Sequence, residues 1–393
     1  MWIVSQIGAR EHYSIPRALH RAGQLAGLTT DFWVPPGSLF AKIPGGKRLQ
    51  DRFHAELGSA PVHSLNSRLL VFEGLSRLLG SSGWDQVLAR DALYQRKTTA
   101  YLRNLQLPKT DAPTTLFSYS YTALEPFKEA KRRGWKTVLG QIDPGPAEHE
   151  LVNPLRQQHP EWAGPVEASP PQSYWDRWRE ECELADRIVV NSEWSKTLLS
   201  RSGIESGKIE IIPLALDAPL PLTQESPPRP PNQPLRLLFL GQAIVRKGIQ
   251  DLVAAAKLLE KDRWHIDVVG PHGPLPDHLP ANMTFHGSVP RSEASHWYSR
   301  ADAFVLPTHS DGFALTQLEA MVHGLPVIAT ACCGEVVEDG QNGWIIPAGD
   351  PDTLAQRLTT IAKAPEQLAS MSESARDTVR RFNLGRISTA LLK

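Results

Sequence analysis

Apolar positions come in short blocks near the start of the chain. MWIVSQIG, led by four apolar residues, has the look of a short buried strand, EHYSIPRALHRAGQLAG repeats apolar residues at helical spacing, and TTDFWV has the look of a second strand. Short apolar runs predict strands and three-to-four spacing predicts helices, so the chain opens strand, helix, strand. From Pro35 to Leu107 the pattern is amphipathic and arginine-rich, which predicts helices and no clean strand. The alternation then resumes. TTLFSYSYTA, WKTVLGQID, DRIVVNS and KIEIIPLALD read as strands, and LEPFKEAKRRG, WDRWREECELA and EWSKTLLSRSG as helices.

Residues 218–234, APLPLTQESPPRPPNQP, are dense in proline and carry no period, as expected of a semi-rigid linker. Beyond them the pattern restarts with strands LRLLFLGQ, WHIDVVG, MTFHGSV, DAFVLPTH, VIATA and WIIPAGD, and helices GIQDLVAAAKLLEK and SEASHWYSRA lie between them. A helical region covers roughly 351–392. Strand and helix alternating twice over predict an α/β chain of two doubly wound, Rossmann-like domains, residues 1–217 and 235–393, with the terminal helix free to return to the first. Strand carboxyl ends would face a cleft between them, the default place for a site.

A length of 393 residues agrees with two cores rather than one. Lysine plus arginine equals aspartate plus glutamate at 42 each, so no global basic field points to nucleic acid. The local basic run KEAKRRGWK, 128–136, reads as a solvated helix face or, alternatively, as a surface for anionic lipid. Three cysteines, Cys182, Cys332 and Cys333, exclude a disulfide framework and have no metal-ligand spacing. The first residues do not read as a signal peptide, and no run approaches the ~18 apolar residues of a membrane span. The expectation is a cytoplasmic protein, either free or peripheral to a membrane.

Candidate chemistry concentrates in the second half. Its first strand ends in GQAIVRKG, where Gly241 permits a tight turn and Lys247-Gly248 opens a helix, an arrangement suited to phosphate. Neither a Walker A motif nor a GxGxxG fingerprint is present, which counts against nicotinamide and flavin chemistry. In SDGFALTQLEAMVHGLPVIAT, residues 310–330, Glu319 falls inside the apolar stripe of Leu315, Leu318 and Val322 and needs a partner there. Asp311, eight residues earlier, would lie roughly 80° from Glu319 on one continuous helix, so the two carboxylates converge only if Asp311 sits on the entering loop. On that loop it either caps the helix or borders an anion site built from free backbone amides.

Taken together, ADRIVVNSEWSKTLL, IEIIPLALD, LLFLGQAIVRKG, DGFALTQLEAMVHGLPVIAT and GEVVEDGQNGWIIPAGD resemble the retaining, nucleotide-sugar-dependent glycosyltransferases of GT-B fold, glycosyltransferase family 4. The resemblance runs from about Ala185 to about Arg357. It implies transfer of a hexose from a nucleotide diphosphate sugar to a hydroxyl acceptor with retention, by front-face attack and without a metal or other cofactor. Asp311 and Glu319 stand where the family carries a Glu-x7-Glu pair. Asp311 would hold hydroxyls of the transferred sugar and Glu319 the ribose. Amides from Gly312, Phe313, Ala314, Leu315 and Thr316 would cradle the diphosphate, and Lys247 would neutralise it. The base would be read around Gly270, Pro271 and His286-Gly287.

The chain departs from that pattern in four places. Gln242 replaces an arginine after Gly241, with Arg246 as its substitute; Asp311 shortens a glutamate; Gly8 stands alone where relatives have a glycine pair; and no histidine ends the central strand of the first half, leaving Tyr119, Tyr121 or Asp143 for the sugar. Acceptor candidates at strand ends are Arg10, Glu11, His12, Tyr13, Glu148 and His149, and the acceptor class spans glycan, lipid-linked sugar and small molecule. The same motifs would also fit a nucleotide-sugar epimerase of GT-B fold or a catalytically silent binding protein.

Overall fold

The computed structural model describes residues 1–38, 40, 51–80, 82–108, 112–162, 169–217, 233–260 and 263–393. Most of the proline-rich linker, 218–232, lies outside the described residues. The first half contains strands β1 (Trp2–Gln6), β2 (Leu25–Thr30), β3 (Val62–Ser64), β4 (Thr115–Tyr119), β5 (Lys136–Gly140), β6 (Arg187–Val190) and β7 (Ile209–Ile211). The second contains β8 (Leu235–Leu240), β9 (Trp264–Val269), β10 (Met283–Gly287), β11 (Ala303–Leu306), β12 (Val327–Thr330) and β13 (Gly343–Ile346).

These form two sheets, ordered β3-β2-β1-β4-β5-β6-β7 and β10-β9-β8-β11-β12-β13. Every pairing within them is parallel. A parallel sheet needs helical crossovers on its faces, and each sheet accordingly has an apolar core on both sides. This is the two-domain Rossmann-like architecture of the GT-B fold. Strand order reverses between β1 and β4 and again between β8 and β11, so the crevice for ligands opens at those two places.

Two sequence expectations shift. The second strand is Leu25–Thr30 rather than TTDFWV, because the helix Ser14–Arg21 stops early at Gly23, whose φ of 67° turns the chain directly into register with β1. The segment from Pro35 to Leu107 does carry a strand, the three-residue edge β3, besides the helices Asn66–Leu78 and Gly83–Asn104. So short an edge strand shows too little alternation to be read in sequence.

The halves interlock. The last helix, Leu384–Leu391, contributes Leu384, Ile387 and Leu391 to a core of the first half, and Arg187 of β6 donates to the carbonyls of Leu391 (2.9 Å) and Ala390 (3.2 Å) at its end. In the other direction Trp162 joins the core of the second half and stacks on Phe285 at 5.8 Å.

Candidate active site

At the end of β8, Gly241 meets the end of β9 at Gly270. A side chain on Gly270 would lie 1.9 Å from the Gly241 carbonyl oxygen, and both residues have φ in the left-handed half, 153° and 138°. Only glycine allows this approach. It opens a cavity of about 710 Å³ bordered by Gly241, Gln242, Gly270, Arg291, Tyr298 and Glu319. Glu319 meets its expected need for a partner through the Tyr298 hydroxyl, which donates to Oε2 at 3.0 Å, while Arg291 stands 3.8 Å from Oε1. Burial, then the Glu319 charge, pushes the Tyr298 phenol well above its ordinary range, so Tyr298 stays a donor. An apolar cavity with one carboxylate held at its wall suits a nucleoside whose hydroxyls donate.

Between β8 and the helix Ile249–Leu258, residues Val245–Lys247 form a single 3-10 turn closed by Gly248 at φ 75°. A Cβ at Gly248 would sit 1.9 Å from the Pro307 carbonyl oxygen, so the turn lies against the end of β11. This places two cations on the loop that follows β11. Lys247 forms an ion pair with Asp311, and Arg246 donates to the Ser310 carbonyl at 2.8 Å and stands 3.9 Å from Asp311. Burial, then the adjacent Arg246 charge, lowers the Lys247 ammonium to about 7, while Glu148 across the crevice acts in the opposite sense.

Asp311 does sit on the loop entering its helix, which runs Thr316–Val322 and so starts later than the apolar periodicity suggests. Its Oδ1 accepts from the amides of Ala314 (3.1 Å) and Phe313 (3.3 Å), and Ala314 is held at φ 62°. Phe313 is buried and Leu315 packs at the edge of the core. Gly312 approaches the first half, since a Cβ there would be 3.2 Å from the Ile142 carbonyl oxygen, and the Ser192 hydroxyl donates to the Gly312 carbonyl at 2.7 Å. His286 stands apart from the cavity lining: it bonds Asp267 at 2.8 Å and packs on Trp297 at 4.2 Å.

The first half presents its strand ends to the same crevice. Gly8 turns at φ 86° and its amide donates to Asp31 at 2.8 Å. Glu11, His12 and Tyr13 are consecutive left-handed residues, an accumulation of backbone strain. Arg10 lies 5.6 Å over the Tyr119 ring, and His12 reaches across to Arg291 at 2.8 Å. Burial, then the Arg291 charge, lowers His12 to about 4, so its Nδ1 accepts from the guanidinium at neutral pH. Tyr121, at φ 74°, donates its hydroxyl to Asp143 at 2.6 Å and stacks on Tyr174 at 4.6 Å. Glu181, unmarked in the sequence, fixes that loop by accepting from the amides of Tyr121, Ala123 and Leu124.

Glu148 of the first half stands 3.6 Å from Arg246, and burial raises its pKa. Arg291 and Tyr298 escaped the sequence reading because each lies on a polar-looking helical segment. A tyrosine within the apolar positions of SEASHWYSRA is the one signal that could have marked Tyr298. Among the described residues no group of three or more metal-ligating side chains occurs. Among them, too, no helix is long and apolar enough to cross a membrane.

Residues 234–364 match the family glycosyl transferases group 1. That span holds Gly241, Lys247, Gly270, Asp311 and Glu319, and the first-half candidates fall outside it. The chain is similar to the D-inositol 3-phosphate glycosyltransferase of Kribbella flavida, 29% identical over 227 residues, covering 51% of this chain and 54% of that one. It is also similar to the putative colanic acid biosynthesis glycosyltransferase WcaL of Escherichia coli, 26% identical over 228 residues, 52% of this chain and 55% of the relative. The chain spans about half the length of the curated relatives it matches. Its fold is that of Anabaena HepE, solved with UDP and glucose, at TM-score 0.64 and 14% identity over 100% of this chain and 98% of that one. WaaG, a glycosyltransferase of lipopolysaccharide biosynthesis, gives TM-score 0.63 and 14% identity with the same coverage.

Proposed function

We propose that the chain is a retaining hexosyltransferase of glycosyltransferase family 4, moving a hexose from a nucleotide diphosphate sugar to a hydroxyl acceptor. The observation that carries this reading is the meeting of Arg246, Lys247 and Asp311 at the β8/β11 switch point, in the same half as a cavity walled by Glu319. In it, Glu319 accepts from the ribose hydroxyls and Gly241 and Gly270 let the nucleoside approach the backbone. Arg246 and Lys247 neutralise the leaving diphosphate, the main electrostatic contribution of the protein. Asp311 moves from Lys247 to the hydroxyls of the transferred sugar. The leaving phosphate takes the acceptor proton, so no protein nucleophile is invoked. Residues 1–217 act as the acceptor half, with Arg10, Tyr121 and Asp143 at its strand ends, and residues 235–393 as the donor half, in a cytoplasmic protein.

The test is a panel of nucleoside diphosphates and their sugars, beginning with UDP-glucose because HepE binds UDP and glucose in a chain of the same fold. A ligand at 100 times its Kd adds about 2.7 kcal/mol, or about 5–10 °C in Tm for a domain of this size. Anomeric proton signals of the product then report retention or inversion. No shift with any nucleoside diphosphate would overturn the reading, and an inverted product would remove the retaining mechanism alone.

A further inference from the structure

We propose that the helix Asn66–Leu78 is a docking surface for an anionic lipid bilayer, a reading that stands independently of the transferase assignment. Its outward face is apolar. Val71, Leu75 and Leu78, with Leu79 in the turn just past the helix end, are 62%, 53%, 84% and 79% exposed, half of the eight large apolar side chains exposed among the described residues. At about 100° per residue these four and Arg68 share one arc of roughly 100°, and the helix's acid, Glu73, falls on the opposite side. The inward face carries Leu69, packed with Leu65 and Tyr94. A stripe of this size on an otherwise ordinary surface marks an interaction site rather than scattered exposure.

The amino-terminal end of the stripe says what covers it. Arg68 lines a cavity of about 370 Å³ together with His63, Lys97, Tyr101 and Asn104, and no acidic side chain borders it. His63 stacks on Tyr101 at 4.1 Å, and burial, then the Arg68 charge, lowers the imidazole, which leaves Arg68 and Lys97 as the charges there. Neither forms an ion pair among the described residues. Unneutralised cations at the head of an apolar stripe match an amphiphile with an anionic head and a hydrocarbon body, the geometry of a helix lying in a bilayer interface. The basic run at 128–136 offers no such surface. Lys128 pairs with Glu180, Lys131 with Asp186 and Arg132 with Glu129, while Arg133 bonds the carbonyl of Leu105 and lies 4.2 Å over Trp135.

The experiment is co-sedimentation of the full chain with phosphatidylcholine vesicles, with and without phosphatidylglycerol. The intact chain should partition onto the anionic vesicles only. Leu75→Glu/Leu78→Glu should lower that partitioning at least tenfold. Arg68→Gln/Lys97→Gln should lower it about thirtyfold, from about 1 kcal/mol per cation at an anionic surface. Both pairs replace surface groups, so their Tm should match that of the intact chain, and the second pair leaves the apolar stripe intact. Equal binding to neutral vesicles, or no binding at all, would overturn the proposal. Light scattering that shows a dimer abolished by Leu75→Glu/Leu78→Glu, without vesicle binding, would assign the face to a second copy and overturn it as well.

Discussion

Replacing Asp311 by asparagine should move three observables in different directions. Asp311 holds Lys247 through one oxygen and the amides of Phe313 and Ala314 through the other. Asparagine keeps an oxygen for the amides, since Asn and Asp rank together as caps. It loses the counter-ion of Lys247, whose side chain is 16% exposed beside an Asp311 that is 14% exposed. A charge-assisted contact is worth about 1.5–3 kcal/mol, so the variant should lose about 2 kcal/mol, or about 4–8 °C in Tm. The freed cations should hold a bare nucleoside diphosphate more tightly, by about 1–2 kcal/mol, or roughly five- to thirtyfold. Transfer of the sugar should nevertheless slow about ten- to hundredfold, because the charged acceptor for its hydroxyls is gone. Scanning calorimetry, titration calorimetry and initial rates on one preparation give all three. Unchanged turnover would refute the sugar-binding role. Weaker affinity for the bare diphosphate would refute the idea that Asp311 and the diphosphate share Lys247.

Three further outcomes are expected. Glu319→Gln should weaken bare nucleoside diphosphate and full donor alike, about tenfold, and equal affinities by calorimetry would take Glu319 off the ribose. Gly248→Ala should lower Tm by about 6–12 °C, since about 1–2 kcal/mol of left-handed strain adds to the collision with the Pro307 carbonyl for at least about 3 kcal/mol; a loss under about 2 °C would contradict the close approach. His12, lowered to about 4 by burial and Arg291, favours the folded state fully above its unfolded value near 6.5, and that contribution fades as pH falls toward 4. His12→Gln keeps an acceptor without titrating, so its Tm should fall less steeply over that window, and parallel curves would remove His12 from the contact.

Local pattern carried a large part of the architecture, because parallel strands buried on both faces appear as continuous apolar runs between amphipathic helices. The same holds for the glycines: Gly241 and Gly270 stand at strand ends where only their backbone freedom permits the approach. Asp311, Glu319 and Lys247 were legible as chemistry because carboxylates beside apolar stripes and a lysine at a glycine turn are locally anomalous. What those groups touch was not legible. Lys247 and Asp311 are 64 residues apart and meet because β8 and β11 pair as neighbours across the strand-order reversal. His286, by contrast, sits next to the right glycine yet turns to Asp267, since the alternation of a strand decides which face a side chain takes.

Charge behaves in the same way. The run 128–136 looks like a basic surface in one dimension, and ion pairs supplied by Glu180 and Asp186 cancel much of it in three. Arg68 and Lys97, unremarkable in sequence, line a cavity at which the fold sets no acidic side chain beside them. Sequence fixes which groups are available and which backbone turns are allowed. Partners more than a helix turn away depend on strand order, crossover hand and the closing of one half on the other, which arise only when the two cores pack.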